Sequence, residues 1–264
     1  FEMLSCLTTT GATVFLPSSH VPEPVHLWRA LVGWLGGFLI LVSAFAIFSP
    51  MNLGGFEVYA SKAASGRASG LARIKAADAS DRLASFARSL APFYLTATVV
   101  LAIGLTISGA RPFSAAILAM STLSTSGITA GSGMRVGFVG EGMILIFLLF
   151  AVSRVLTPLD RRVPKFSEVK QDHELHLMLI FLVALVTFLV LRHAIAATGL
   201  EGKNGFIAAL NAAWGSVFMV VSFLTTTGFV SASWHDTELW SGLESSGIIL
   251  LGLAVMGGGV ATTA

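Results

Sequence analysis

Charge is scarce in this chain. Asp, Glu, Lys and Arg together make up 11% of its 264 residues, and the acidic ones are nearly missing from the long apolar runs. That scarcity excludes an intramembrane hydrolase built on paired aspartates, and neither a His-Glu-x-x-His zinc motif nor a spaced nucleophile and base occurs. There is one cysteine, Cys6, so an intrachain disulfide and a cysteine zinc site are both excluded. The six histidines lack metal-ligand spacing, and His173 and His176 read as loop and helix-start residues. No enzyme, resident metal, covalent cofactor or nucleic-acid partner is expected.

What the chain has in abundance is apolar surface: 55% of its residues are hydrophobic and the mean hydropathy is +0.83. A soluble domain of this length lies well below that, so the partner that surrounds the chain is a lipid bilayer. Four stretches, near 26–49, 90–109, 138–157 and 175–197, reach the roughly 20 helical residues needed to cross about 30 Å of hydrocarbon. A fifth begins near Glu244 and is interrupted at Gly257, Gly258 and Gly259. The shorter apolar pieces 1–10, 113–125 and 206–227 each end in a Ser/Thr/Gly cluster and fit re-entrant helices followed by irregular backbone. The chain opens at Phe1 and stops at Ala264 inside an apolar run, with no leader pattern, and both ends read as truncations.

Basic residues orient the spans. Segments 50–89 and 158–174 hold ten of the sixteen Lys and Arg residues, among them Lys62, Arg73, Arg88, Arg161 and Lys170, which predicts that both face the cytoplasm. Opposite connections such as 16–25 and 230–239 carry Glu23, Asp236 and Glu238 without Lys or Arg and are expected outside. Leu71, Ile74, Leu83 and Phe86 among the basic residues of the first loop suit either an amphipathic helix on anionic lipid or a solvated loop. The order that results is two spans flanking one outward hairpin, repeated in parallel. Parallel repeats rank a secondary carrier of inverted repeats behind a channel-like pathway.

The hairpins hold the strongest signal. Ser5-Cys6-Leu7-Thr8-Thr9-Thr10-Gly11, Ser121-Thr122-Leu123-Ser124-Thr125-Ser126-Gly127 and Ser222-Phe223-Leu224-Thr225-Thr226-Thr227-Gly228 all obey Ser-x-Leu-(Ser/Thr)-Thr-(Ser/Thr)-Gly. Their glycines are separated by 116 and 101 residues, room for two spans, a loop and one short helix. Small residues serve close helix packing in membranes, which explains one such cluster; three copies in register call for something more. Extended backbone with carbonyls aimed at a common axis replaces the hydration shell of a cation. Glycine permits the angles that turn a carbonyl inward, and the negative C-terminal end of a preceding helix favours a positive ion. The candidate filter residues are therefore Thr9, Thr10, Gly11 and Ala12; Thr125, Ser126, Gly127 and Ile128; and Thr226, Thr227, Gly228 and Phe229.

These motifs, with Phe1-Glu2-Met3-Leu4 ahead of the first, Trp34-Leu35-Gly36-Gly37 in the following span and Val220-Val221 before the third, resemble the Trk/Ktr/HKT superfamily of potassium transporters, its TrkH-type branch above all. The resemblance implies an all-α polytopic membrane protein, with repeats of outer helix, re-entrant pore helix and filter, and inner helix around a central ion pathway. It divides the chain into the end of repeat one (1–50), a cytoplasmic loop (51–89), repeat two (90–158), a second loop (159–174) and repeat three (175–264), with repeat four absent. It further implies K⁺ uptake, held through filter carbonyls only, with Rb⁺ tolerated by size. Glycine in the first filter goes with K⁺ selectivity in that family, and serine with Na⁺ permeation in some plant relatives; here the residue is Gly11. Gly257, Gly258, Gly259, Ala261, Thr262 and Thr263 resemble the start of an intramembrane gate loop. A homodimer seated on a cytoplasmic nucleotide-binding regulatory subunit, in the inner (plasma) membrane with filters outward, completes what is implied. A Na⁺-permeable or ion-coupled symporter of the same architecture is the alternative. The sequence departs from the family at Ala151-Val152-Ser153-Arg154, where glycine and asparagine are frequent, and at Ala261-Thr262, where glycine and serine are more usual.

Two further residues read two ways. Arg154 is either a functional charge in a span or one that snorkels to the cytoplasmic face. Glu2 either braces the first filter from behind or meets outer water. Asn211 and Trp214 are packing and hydrogen-bonding residues of the third pore helix.

Overall fold

A computed structural model describes residues 1–15, 21–51, 79–131, 133–134, 136–152, 179–180, 182–188, 191 and 205–234. The six helices described are α1 (Glu2–Leu7), α2 (Glu23–Met51), α3 (Ala79–Ile107), α4 (Pro112–Leu123), α5 (Phe138–Val152) and α6 (Gly205–Leu224). Two of them contain segments long and apolar enough to cross a membrane, Glu23–Ala44 and Leu83–Ile107. The third and fourth expected spans are helical where described: α5 covers the start of one, and residues 179–180, 182–188 and 191 belong to the other. The gate-loop residues 257–263, the loop 159–174, Arg154, His173 and His176 lie outside the described residues.

The pattern on α3 shows why lipid suits this fold. Leu95, Val99, Ile103 and Ile107, four residues apart, are exposed, while Leu90, Tyr94, Leu101 and Leu105 on the other side are buried. Both faces are apolar, so what the outer face meets must be apolar too. The helix's hydroxyls stay satisfied on their own backbone: Thr96, Thr98 and Thr106 donate to the carbonyls of Pro92, Tyr94 and Ala102 at 2.7–2.8 Å. The helix also starts earlier than the charge pattern suggests. Arg82 and Arg88 sit on its first turns rather than in a loop, because Ala79–Arg88 holds no helix breaker.

α2 is the centre of the assembly, packing on α1, α3 and α4, while α5 joins α3, α4 and α6. Trp34 on α2 donates to Thr98 Oγ1 at 3.0 Å, and Tyr94 returns a bond to the Trp34 carbonyl at 3.2 Å. The glycines beside Trp34 have a steric reason. A β-carbon on Gly36 would collide with the Leu7 backbone at the end of α1, and one on Gly37 would lie 2.8 Å from Ser124 Cβ. Small residues therefore let α2 seat the C-termini of two short helices at once.

α1, α4 and α6 share one design: each ends in the Ser/Thr/Gly motif and passes into non-helical backbone. Pro112 at the first turn of α4 fits the position where its missing N–H costs nothing. The cores around α4 are continuous with the segments that follow. Leu118, Ile144, Phe218, Val221 and Phe229 form one cluster, and Cys6, Ala30, Ile117, Met120 and Ile128 another.

Candidate functional site

Each of the three short helices is closed by the same backbone device. In α1, Thr9 N–H donates to the Cys6 carbonyl and Thr10 N–H to that of Ser5, both at 2.9 Å. In α4, Thr125 and Ser126 bond back to Thr122 and Ser121 at 3.2 and 3.0 Å; in α6, Thr226 and Thr227 bond back to Phe223 and Ser222 at 2.9 Å. This double closure is a Schellman motif, which requires a left-handed residue just past the helix. Glycine usually fills that position. Here threonine does, three times, with φ of 57°, 49° and 57° at Thr9, Thr125 and Thr226. A β-branched residue in that region costs on the order of 1–3 kcal/mol, so the surrounding contacts hold it there.

Two residues further on the backbone is left-handed again, at Gly11 (φ 69°), Gly127 (65°) and Gly228 (76°), while the residue between keeps negative φ. An ordinary extended strand points successive carbonyls to opposite sides. Alternating the hand re-aims peptide planes and so departs from that extended pattern.

The glycines also place the segments against one another. A β-carbon on Gly11 would collide with the carbonyl oxygen of Ser126, and one on Gly127 with that of Thr227. Segment one thus meets segment two as segment two meets segment three, through the same pair of positions in the same sense. The three motifs, more than a hundred residues apart in sequence, thus lie side by side in chain order. Gly228 meets no described atom within 4 Å on that side.

Hydroxyls brace each segment. Ser5 donates to the Ala12 carbonyl at 2.8 Å and Ser222 to the Phe229 carbonyl at 2.9 Å. Those two carbonyls are therefore engaged by the serines of α1 and α6, whereas the Ser126 and Thr227 carbonyl oxygens lie beside the neighbouring glycines. In segment two Ser121 bonds the Ser126 hydroxyl instead, at 3.2 Å. A hydroxyl pair spans each left-handed threonine: Thr8 with Thr10 and Thr225 with Thr227 at 2.9 Å, Ser124 with Ser126 at 3.0 Å. Ile128 is buried between the first two sectors, beside Gly33. A cavity of about 190 Å³ opens between those sectors, lined by Gly11, Thr13, His26, Arg29, Gly127 and Thr129 among others.

Glu2 faces the strand that leaves the first segment. Its Oε1 accepts from Thr13 Oγ1 at 2.9 Å and from Val14 N–H at 2.6 Å. Arg29 Nε of α2 lies 2.9 Å from Oε2, an ion pair without the alignment of a hydrogen bond. Burial pushes the Glu2 carboxyl up, but the Val14 N–H, the Thr13 hydroxyl and Arg29 outweigh it and hold the group below its ordinary value. The contact therefore contributes fully above the ordinary carboxylate range and is lost as pH falls through the lowered value.

Two features escaped sequence reading. The left-handed threonines are invisible to a rule that expects glycine. Glu141, an acid inside the apolar run of α5, is 2% exposed and bonded to Trp214, Ser231 and Ala232. A lone carboxylate within a predicted span was the signal that could have found it.

No protein-family model matches the chain. Among curated proteins, the Trk system potassium uptake protein TrkH of Vibrio parahaemolyticus is 26% identical over 249 residues, 91% of this chain and 48% of that protein. TrkH of Halomonas elongata is 28% identical over 247 residues, covering 92% and 47%, and TrkH of Escherichia coli K12 is 27% identical over 240, covering 88% and 46%. The chain spans about half the length of the curated relatives it matches. The crystal structure of the potassium transporter TrkH from Vibrio parahaemolyticus superposes with a TM-score of 0.67 and 23% identity over 96% of this chain and 48% of that one. That likeness shows an all-α polytopic membrane fold. Joined to the relatives, it makes this chain similar, over about nine-tenths of its length, to Trk-type potassium transporters.

Proposed function

We propose that this chain supplies three filter sectors of a K⁺ uptake pathway. The observation that carries the reading is the threefold recurrence of left-handed Thr-x-Gly backbone, with each of the first two glycines seated on the carbonyl of the next sector. The relatives are named for potassium uptake, a transport activity and not an enzymatic one. Thr9, Thr10, Gly11, Thr125, Ser126, Gly127, Thr226, Thr227 and Gly228 lend backbone oxygens to the dehydrated ion; Ala12, Ile128 and Phe229 close the segments on the outer side. K⁺ is substrate here, with Rb⁺ accepted by size.

The repeat boundaries 1–50, 90–158 and 175–264 with loops 51–89 and 159–174, outward filters, a plasma-membrane location, a dimer and a cytoplasmic nucleotide-binding partner belong to the same proposal. So does a gate at Gly257–Thr263. Each glycine weakens a helix by roughly 1 kcal/mol relative to alanine, so three in succession favour unwound backbone, which is tolerated at membrane depth where protein or water covers it. The complete protein in liposomes is expected to pass Rb⁺ and K⁺ and to exclude Na⁺, and deleting 257–263 is expected to raise the flux. A tracer assay without preference for Rb⁺ over Na⁺ contradicts the function; unchanged flux from a well-folded deletion contradicts the gate.

A further inference from the structure

Two carboxylates from unrelated places treat two filter strands alike. Beyond Gly11, the Thr13 hydroxyl donates to Glu2 Oε1 at 2.9 Å, Val14 N–H donates to the same oxygen at 2.6 Å, and Phe15 N–H donates to Thr13 Oγ1 at 3.1 Å. Beyond Gly228, the Ser231 hydroxyl lies 3.0 and 2.9 Å from Glu141 Oε1 and Oε2, Ala232 N–H donates to Oε1 at 2.9 Å, and Ser233 N–H donates to Ser231 Oγ at 3.1 Å. The pattern is the same in both: a hydroxyl and the next amide on a carboxylate, and the amide after that on the hydroxyl. Glu2 comes from the pore helix of its own repeat, α1. Glu141 comes from α5, the inner helix of the preceding repeat, so the match does not follow from the sequence repeat.

We infer that Glu141 is a positioning residue that sets the third filter's carbonyls by clamping the strand that leaves it. The inference rests on the filter reading above. Glu141 is 2% exposed, and Oε2 also accepts from Trp214 Nε1 on α6 at 2.7 Å. Its oxygens thus join the inner helix α5, the pore helix α6 and the outgoing segment, where a helical turn begins at Ala232, at one point. That turn is bedded closely there, since a β-carbon on Gly215 would lie 3.3 Å from the Ser233 backbone. Upstream, Ser222 holds the Phe229 carbonyl. The backbone from Phe229 to Ala232 is therefore pinned at both ends, and the carbonyls of Thr227 and Gly228 follow directly before the first pin. Charge-assisted bonds of this kind are stronger than neutral ones, and a carboxylate supplies the acceptors that hydrocarbon lacks.

The test compares K⁺ with Na⁺ flux through the complete protein in liposomes, with variants Glu141→Ala, Ser231→Ala and Ser231→Thr beside Gly11→Ser. Glu141→Ala and Ser231→Ala are expected to lower the K⁺/Na⁺ ratio by about tenfold, the consequence of freeing a buried charge-assisted contact. Ser231→Thr keeps the hydroxyl and is expected to keep the parental ratio. Should Glu141→Ala fail to fold, the contrast between the two Ser231 variants decides alone. A parental ratio in folded Ser231→Ala, with Gly11→Ser admitting Na⁺, overturns the clamp and leaves the filter standing. A parental ratio in Gly11→Ser as well overturns the filter reading and the clamp with it.

Discussion

Gly11→Ser in the complete protein is expected to admit Na⁺ while K⁺ still passes. The backbone at Gly11 is left-handed, with φ 69°, where a residue with a β-carbon is strained by about 1–2 kcal/mol. The larger effect is contact: that β-carbon would run into the Ser126 carbonyl oxygen of the next sector. Both strains are relieved by moving the strand or turning the carbonyl away, and either change spoils a ring sized for K⁺. Discrimination between two monovalent ions depends on carbonyl placement and number, so selectivity falls first and conduction persists. Competitive uptake of labelled Rb⁺ against Na⁺ reads this directly. An unaltered preference in a folded variant removes Gly11 from the filter.

Gly127→Ala should be more severe, with ion uptake reduced at least about tenfold, the effect of roughly 1–3 kcal/mol of overpacking on the pathway itself. Gly127 stands between the other two sectors. Its own β-carbon would meet the Thr227 carbonyl, while its neighbour Ser126 already receives Gly11. A change there disturbs both junctions, whereas one at Gly11 disturbs a single described junction. Gly109 is the matched control, since it is also left-handed, with φ 99°, and a β-carbon there meets nothing within 4 Å. Gly109→Ala therefore carries backbone strain without collision and should leave Rb⁺ uptake near the parental level. Equal losses from both variants would mean that strain alone, and not the contact between sectors, governs the pathway.

How much of this was legible in sequence differs by feature, and the differences have physical reasons. The three recurring segments were legible because a fixed order of hydroxyls and glycine over seven positions appears in three copies. Gly36 and Gly37 were visible as a motif, but only the packing of α2 against Leu7 and Ser124 gives the reason for them. The start of α3 at Ala79 was obscured by its arginines, since a bias in basic residues speaks to the side of the membrane and does not distinguish a loop from a helix that projects beyond the bilayer. The left-handed threonines could not be read, since propensity places glycine at that cap and only tertiary contacts hold threonine in its stead. Glu2 was open between two roles, and its bonds to Thr13 and Val14 favour the bracing one. Glu141 was passed over because its partners, Trp214, Ser231 and Ala232, lie more than seventy residues away. Contacts that distant leave no local pattern.

The central claim is that the three motifs surround one dehydrated cation, and anomalous scattering from Rb⁺ in crystals of the complete protein tests it most directly. The account predicts an anomalous peak on the axis shared by the segments Thr9–Gly11, Thr125–Gly127 and Thr226–Gly228, within coordination distance of their carbonyl oxygens and displaced when Rb⁺ is exchanged for K⁺. A Rb⁺ peak elsewhere in the membrane-embedded region, with none between these segments, would contradict it.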